Sequence, residues 1–163
     1  SFSKTAAPGY RIGWVLAGRY TAEIERLKRS FSCSSGLLQQ LTLSEFLASG
    51  DYDRYLKSLR PVLQCNAERM AALIAEYFPA ETRTSQPVGG SVLWLELPRD
   101  VDSEALFDRA IAEGISIAPG LIFSPRTRYR NFVRLSFGHP WSEGIEKSLR
   151  WLGSEVRAIL RAA

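Results

Sequence analysis

The sequence predicts an α/β to α+β protein assembled from two unequal parts, and three observations carry that prediction. From about residue 80 onward, the apolar spacing reads strand, helix, strand, strand, helix, which suits a small α+β lobe with helices on one face of a sheet. Ahead of it, a helical apolar stripe runs from about Asp51 to Phe78, and a helix that long often joins two lobes. The first ~50 residues read as the tail of a different, larger lobe. The division expected is therefore residues 1–50 against residues 51–163.

Residues 10–17 (YRIGWVLA) follow a Pro8-Gly9 turn and predict a short buried strand. Residues 21–31 predict a helix with Thr21 as N-cap and Ile24, Leu27 and Phe31 at helical spacing. Ser32 to Gly36 is a small-residue break. Residues 37–48 predict an apolar helix ended by Ser49-Gly50. In the long helix, Tyr52, Leu56, Leu59, Leu63, Met70, Leu73 and Ile74 mark the apolar face, Pro61 should kink or divide it, and Pro79 stops it.

After Gly89-Gly90, residues 91–97 (SVLWLEL) are apolar on both faces, as in a central strand. Asp102 or Ser103 caps a helix through about Ala112, with Gly114 at C′. Residues 115–118 form a short strand closed by Pro119-Gly120. Residues 131–137 (NFVRLSF) alternate, with Val133, Leu135 and Phe137 on one side and Phe132, Arg134 and Ser136 on the other. Ser142 caps a last helix to about Leu160, slightly weakened by Gly144 and Gly153.

Composition bounds the function. An apolar content of 45% and a charged content of 23% are ordinary for a soluble globular chain. No apolar run approaches the ~18–20 residues of a membrane span, and no stretch reads as a signal peptide. The net charge of +4, from 21 basic and 17 acidic residues, is mild and spread along the chain, so nucleic-acid binding by this segment is not indicated. Arg126, Arg128 and Arg130 read as a solvated loop. One histidine, His139, rules out a His-cluster metal site and the usual Ser-His and Cys-His pairs. Cys33 and Cys65 have no metal or redox spacing and fit free thiols in a reducing cytoplasm. Trp14, Trp94, Trp141 and Trp151 read as core or lobe-interface residues. The chain opens on Ser1 without an initiator Met, as a fragment of a longer polypeptide would.

The chemistry concentrates at the start. Lys4 stands between Ser3 and Thr5, with Arg11 seven positions on and the Pro8-Gly9 turn between. Pyridoxal 5′-phosphate needs a Schiff-base lysine, donors for its phosphate and an acid for its ring nitrogen. Lys4 supplies the first element. Ser1, Ser3 and Arg11 supply the second, because hydroxyls and a guanidinium fork suit phosphate oxygens. No residue stands out as the third. Ser-x-Ser-Lys alone also fits a surface lysine beside a turn; the whole segment from Ser1 to Trp14 favours the cofactor lysine. Arg134 has two readings: an arginine gripping a carboxylate bidentately, or an edge-strand arginine facing water.

SFSKTAAPGYRIGWV resembles the lysine segment of class I/II aminotransferases of fold type I, and NFVRLSF resembles that family's arginine strand. The resemblance spans essentially the whole chain. It implies the end of a large domain, a long connecting helix and a small C-terminal domain. It also implies Lys4 as the Schiff-base residue, Ser1, Ser3 and Arg11 as phosphate ligands, and Arg134 as the group gripping a substrate α-carboxylate.

A narrower resemblance is carried by APGYRIGWVLAGRY, CNAERMAALIAEYFP, GGSVLWLELP, GISIAPGLIFSP and RNFVRLSFGHPW. Together they are similar to the aminotransferase-like domain of MocR-type regulators of the GntR superfamily. That likeness implies pyridoxal phosphate as cofactor, an amino-acid-like effector, a homodimer, and DNA contacted only through an N-terminal winged helix. The alternative it leaves is the C-terminal part of a plain aminotransferase, moving an amino group between an amino acid and a 2-oxo acid. The winged helix and most of the large domain, with the acid under the pyridine ring, are not among these residues. The 163 residues alone are therefore expected to bind the cofactor weakly or not at all.

Overall fold

A computed structural model describes residues 1–126 and 128–162. It divides into two compact units, Ser1–Arg60 and Pro61–Ala163.

In the first unit, helix α1 spans Thr21–Phe31 and α2 spans Leu37–Ala48, followed by the start of α3, Asp51–Tyr77. Thr21 is the first helical residue rather than the cap. Tyr20 occupies the N-cap position without a side-chain bond, and the Thr21 hydroxyl donates to the Gly18 carbonyl at 2.7 Å. The short serine-rich break and the Ser49-Gly50 stop lie where the sequence puts them, and Gly50 takes the left-handed backbone (φ 75°) that such a stop requires.

Residues 10–17 do not form the expected strand. A 3₁₀ turn covers Pro8–Tyr10, and the residues after it have no ladder partner among the described residues. An apolar run that fills both faces of a strand needs a sheet covered by packed layers on both faces. No such sheet belongs to this unit among the described residues, and Trp14, Val15 and Leu16 are exposed. Trp14 is thus not a core residue of its unit. Among the described residues, the only buried hydrophobic side chain of the unit is Leu43.

Helix α3 runs through Pro61 undivided, and the boundary between the units falls at that residue. The second unit is a four-stranded antiparallel sheet, ordered β1-β2-β4-β3, with β1 Arg83–Thr84, β2 Val92–Glu96, β3 Ala118–Pro119 and β4 Phe132–Ser136. Helices α4 (Ser103–Ala112) and α5 (Glu143–Ala162) complete it. Alternation sorts the two central strands. Leu93, Leu95, Val133 and Leu135 enter a core shared with Met70 and Ile74 of α3, Leu106 and Ala110 of α4, and Leu149, Leu152 and Val156 of α5. Trp94, Phe132 and Arg134 therefore lie on the other side of the sheet.

Local signals account for the helix ends. Asp102 caps α4 by accepting the Glu104 amide at 2.9 Å. At its other end the Gly114 amide donates to Ile111 and the Ile115 amide to Ala110, with Gly114 at φ 73°. That is the paired bonding of a Schellman stop. Gly153 has a reason that helix propensity does not reveal. A Cβ there would run into the Tyr77 carbonyl, 2.7 Å from its carbon, so the glycine lets α5 cross the end of α3 closely.

Candidate functional site

The lysine segment is a closed loop. The Phe2 amide donates to the Ile12 carbonyl at 3.0 Å, and the Ala6 and Ala7 amides both donate to the Phe2 carbonyl. Tyr52 of α3 anchors it. The Phe2 and Phe46 rings meet Tyr52 edge to face, at centroid distances of 6.0 and 5.9 Å, and the Tyr52 hydroxyl donates to Thr5 Oγ1 at 2.9 Å. The residue next to Lys4 is thereby pinned to the first turn of α3. Lys4 itself is exposed. Its spacing puts Tyr52 on the apolar stripe of a helix, and nothing in that spacing marks the hydroxyl as an anchor.

Arg11 at the C-cap of the 3₁₀ turn takes a left-handed backbone (φ 55°), which costs roughly 1 kcal/mol for a residue with a Cβ. That conformation folds its guanidinium back. Arg11 Nη1 donates to Ser3 Oγ at 3.1 Å and to the Pro8 carbonyl at 3.3 Å. Ser1 Oγ donates to Ser3 Oγ at 3.2 Å, and the Ser3 amide donates to Ser1 Oγ at 3.3 Å. Two hydroxyls and a guanidinium therefore converge, and among the described residues no carboxylate forms an ion pair with Arg11. This donor set fits an anionic oxygen group such as a phosphate.

Arg134 sits in the second unit, on β4, opposite Trp94 of β2 and Ala118 of β3. Because β4 is flanked on both sides, Arg134 is not on an edge strand. It is exposed and lacks a carboxylate partner among the described residues. A guanidinium with its fork free is suited to receive a carboxylate. Its Cζ lies 4.6 Å from the centroid of Phe123, a residue the sequence did not single out.

The other basic cluster is partly structural. Arg130 makes a two-pronged contact to Asp102, with Nε and Nη2 at 3.0 and 2.8 Å from one carboxylate oxygen. Partial burial works against the charged Asp102 carboxylate. The Glu104 amide, the Arg130 guanidinium and the Ala105 amide outweigh it and hold the group below the ordinary aspartate value. His139, expected in a loop or cap, is an exposed loop residue whose carbonyl accepts the Asn66 amide at 3.1 Å. Among the described residues no helix is long and apolar enough to cross a membrane, and both cysteines are free.

Comparison with known proteins fixes the family. Residues 1–148 match the model for aminotransferase class I and II. Two relatives in Escherichia coli strain K12 are the uncharacterized HTH-type transcriptional regulators YjiR and YdcR. Each is 36% identical, over 96% and 98% of this chain respectively, and the chain spans about a third of their length (33% and 34%). Among solved structures, LysN, the α-aminoadipate aminotransferase of Thermus thermophilus, complexed with N-(5′-phosphopyridoxyl)-L-leucine, superposes with a TM-score of 0.90. It is 30% identical, and the match covers 100% of this chain and 42% of that one. The family model covers most of the chain, and the chain belongs to the aminotransferase class I and II family.

Proposed function

We propose that these residues form the cofactor- and effector-binding part of a MocR/GntR-type transcriptional regulator. The observation that carries the cofactor half is the Arg11 guanidinium folded onto the Ser1–Ser3 hydroxyl pair within the Lys4 loop. The 36% identity to two HTH-type regulators supports the regulatory half. Pyridoxal phosphate, when bound, supplies an electron sink for charge developing at an amino-acid α-carbon. Ser1, Ser3 and Arg11 would hold its phosphate, and Lys4 would provide the amine that meets its carbonyl carbon. Arg134 would grip the carboxylate of an amino-acid-like effector. DNA would be contacted through an N-terminal winged helix, in a cytoplasmic homodimer of the relatives' length.

The test compares pyridoxal phosphate with pyridoxal, which lacks the phosphate. In a polypeptide of the relatives' length carrying this segment, the phosphate form should bind at least about tenfold more tightly, and Arg11→Ala should remove most of that difference. Equal affinities would refute the phosphate role. The 163 residues alone should bind weakly or not at all; a visible absorption band on adding pyridoxal phosphate, lost in Lys4→Ala, would overturn that expectation.

A second reading is favoured by the fit to a solved aminotransferase with a TM-score of 0.90. On that reading the protein is an enzyme exchanging an amino group between an amino acid and a 2-oxo acid. Both readings use Lys4 and Arg134. Rapid exchange by the longer protein supports the enzyme; effector-dependent DNA binding without exchange supports the regulator.

A further inference from the structure

We propose that Phe123 is a positioning residue for Arg134, holding the guanidinium in place without occupying its hydrogen-bonding fork. The inference rests on the reading of Arg134 as a carboxylate-binding group. An exposed arginine left to itself samples many rotamers, and ordering it on binding weakens affinity. A carboxylate neighbour would order it but would also fill the fork. An aromatic ring avoids that conflict. Its face attracts a cation through its quadrupole and offers no lone pair to compete with a ligand oxygen. The 4.6 Å from Arg134 Cζ to the Phe123 centroid lies well inside the range of that attraction.

The ring is itself buttressed. Phe123 meets Trp94 edge to face at 5.3 Å. Trp94 contacts Tyr129 and Phe132, each at 5.6 Å, and those two rings contact each other at 5.3 Å. Two backbone features hold this set together. A Cβ on Gly120 would come within 2.8 Å of Tyr129 Cβ and 2.9 Å of Phe132 Cβ, so only glycine lets the Gly120–Phe123 turn seat on them. Tyr129 adopts a left-handed backbone (φ 67°), which is strained for an aromatic residue. Phe123 nevertheless stays 40% exposed, which a side chain kept only for core packing would not be. The Pro119-Gly120 pair, legible as a mere turn, is thus the close approach that sets Phe123 under Arg134.

The test uses an isotopically labelled polypeptide of the relatives' length carrying this segment and two small probes, 3-methylbutanoate and its neutral amide, 3-methylbutanamide. In the free chain the Arg134 Nε–H resonance should be displaced by the Phe123 ring current. Phe123→Leu should return it toward the value of an unstacked arginine, while Phe123→Trp should keep or enlarge the displacement. Phe123→Leu should weaken 3-methylbutanoate binding about two- to fivefold, Phe123→Trp should preserve it, and the amide should respond to neither. An undisplaced resonance in the wild type, or carboxylate affinity unchanged in Phe123→Leu while Arg134→Gln abolishes it, would overturn the positioning role alone. If Arg134→Gln leaves 3-methylbutanoate binding unchanged, or the wild type does not bind it, the carboxylate reading of Arg134 falls. The ring-current displacement then still decides whether Phe123 holds the guanidinium. A Phe123→Leu variant that unfolds transfers the decision to the Phe123→Trp and Phe123→Tyr pair, in which the displacement must persist.

Discussion

Asn66→Ala should be among the most damaging single changes in the second unit. Asn66 is a buried polar residue of α3, and its amide nitrogen donates to the Phe137 carbonyl at 3.0 Å and the His139 carbonyl at 3.1 Å. It ties the segment that leaves the arginine strand to the long helix. Each hydrogen bond contributes about 1 kcal/mol net, and stranding the buried Phe137 carbonyl adds a desolvation cost of about 1–3 kcal/mol. The expected loss is about 3–5 kcal/mol, a large share of a domain stability of about 5–15 kcal/mol. Urea unfolding followed by tryptophan fluorescence measures it. In a Trp14→Phe background the remaining indoles, Trp94, Trp141 and Trp151, all report on this unit. With a slope near ~1.5 kcal/mol/M, the midpoint should fall by about 2–3 M at unchanged slope. Asn66→Asp should be at least as harmful at neutral pH, because a carboxylate would face two carbonyl oxygens, and protonation should recover part of the loss. A midpoint shift below about 0.4 M for Asn66→Ala would refute this reasoning, since it would mean that the two carbonyls find other donors.

Two further outcomes follow from the helix ends and crossings. Gly153→Ala should destabilise by about 1–2 kcal/mol despite the better helix propensity of alanine, because the added Cβ meets the Tyr77 backbone; Gly144→Ala, with only the Ser142 hydroxyl at 3.5 Å, should be neutral or stabilising by up to ~1 kcal/mol. Thermal melts of the two variants check the opposite signs. Asp102 is held below its ordinary pKa, so its contribution is complete above the unfolded value near ~3.9 and is lost as pH falls through the folded value. Asp102→Asn keeps a capping side chain but not the charge pair with Arg130. It should therefore be less stable than wild type at neutral pH and should converge with it in acid titrations.

What was legible in the sequence was whatever local chemistry decides. Helix α2, a cap at Asp102 or Ser103 (the structure uses Asp102), the Gly114 stop and the alternation around Arg134 depend on residues a few positions apart, and all appear in the structure. What was missed depends on distant partners. Residues 10–17 carry the pattern of a buried strand, but no neighbouring strand of the first unit pairs with them among the described residues. The two-residue β1 exists only because β2 supplies its register. Asn66 meets carbonyls 71 and 73 positions away, and Gly153 is explained by Tyr77 on another helix. In the candidate site, Ser1, Ser3 and Arg11 lie within eleven positions of one another and converge, whereas the Tyr52 anchor and the Phe123 ring carry no sequence signature.

Lys4 carries the central claim, and chemical mapping tests it most directly. A polypeptide of the relatives' length carrying this segment is incubated with pyridoxal phosphate, reduced with borohydride, digested and analysed by mass spectrometry. The phosphopyridoxyl mass should fall on the peptide containing Lys4 at near-stoichiometric yield and vanish in Lys4→Ala. A label spread over Lys28, Lys57 and Lys147 as much as over Lys4, or an unchanged label in Lys4→Ala, would contradict it.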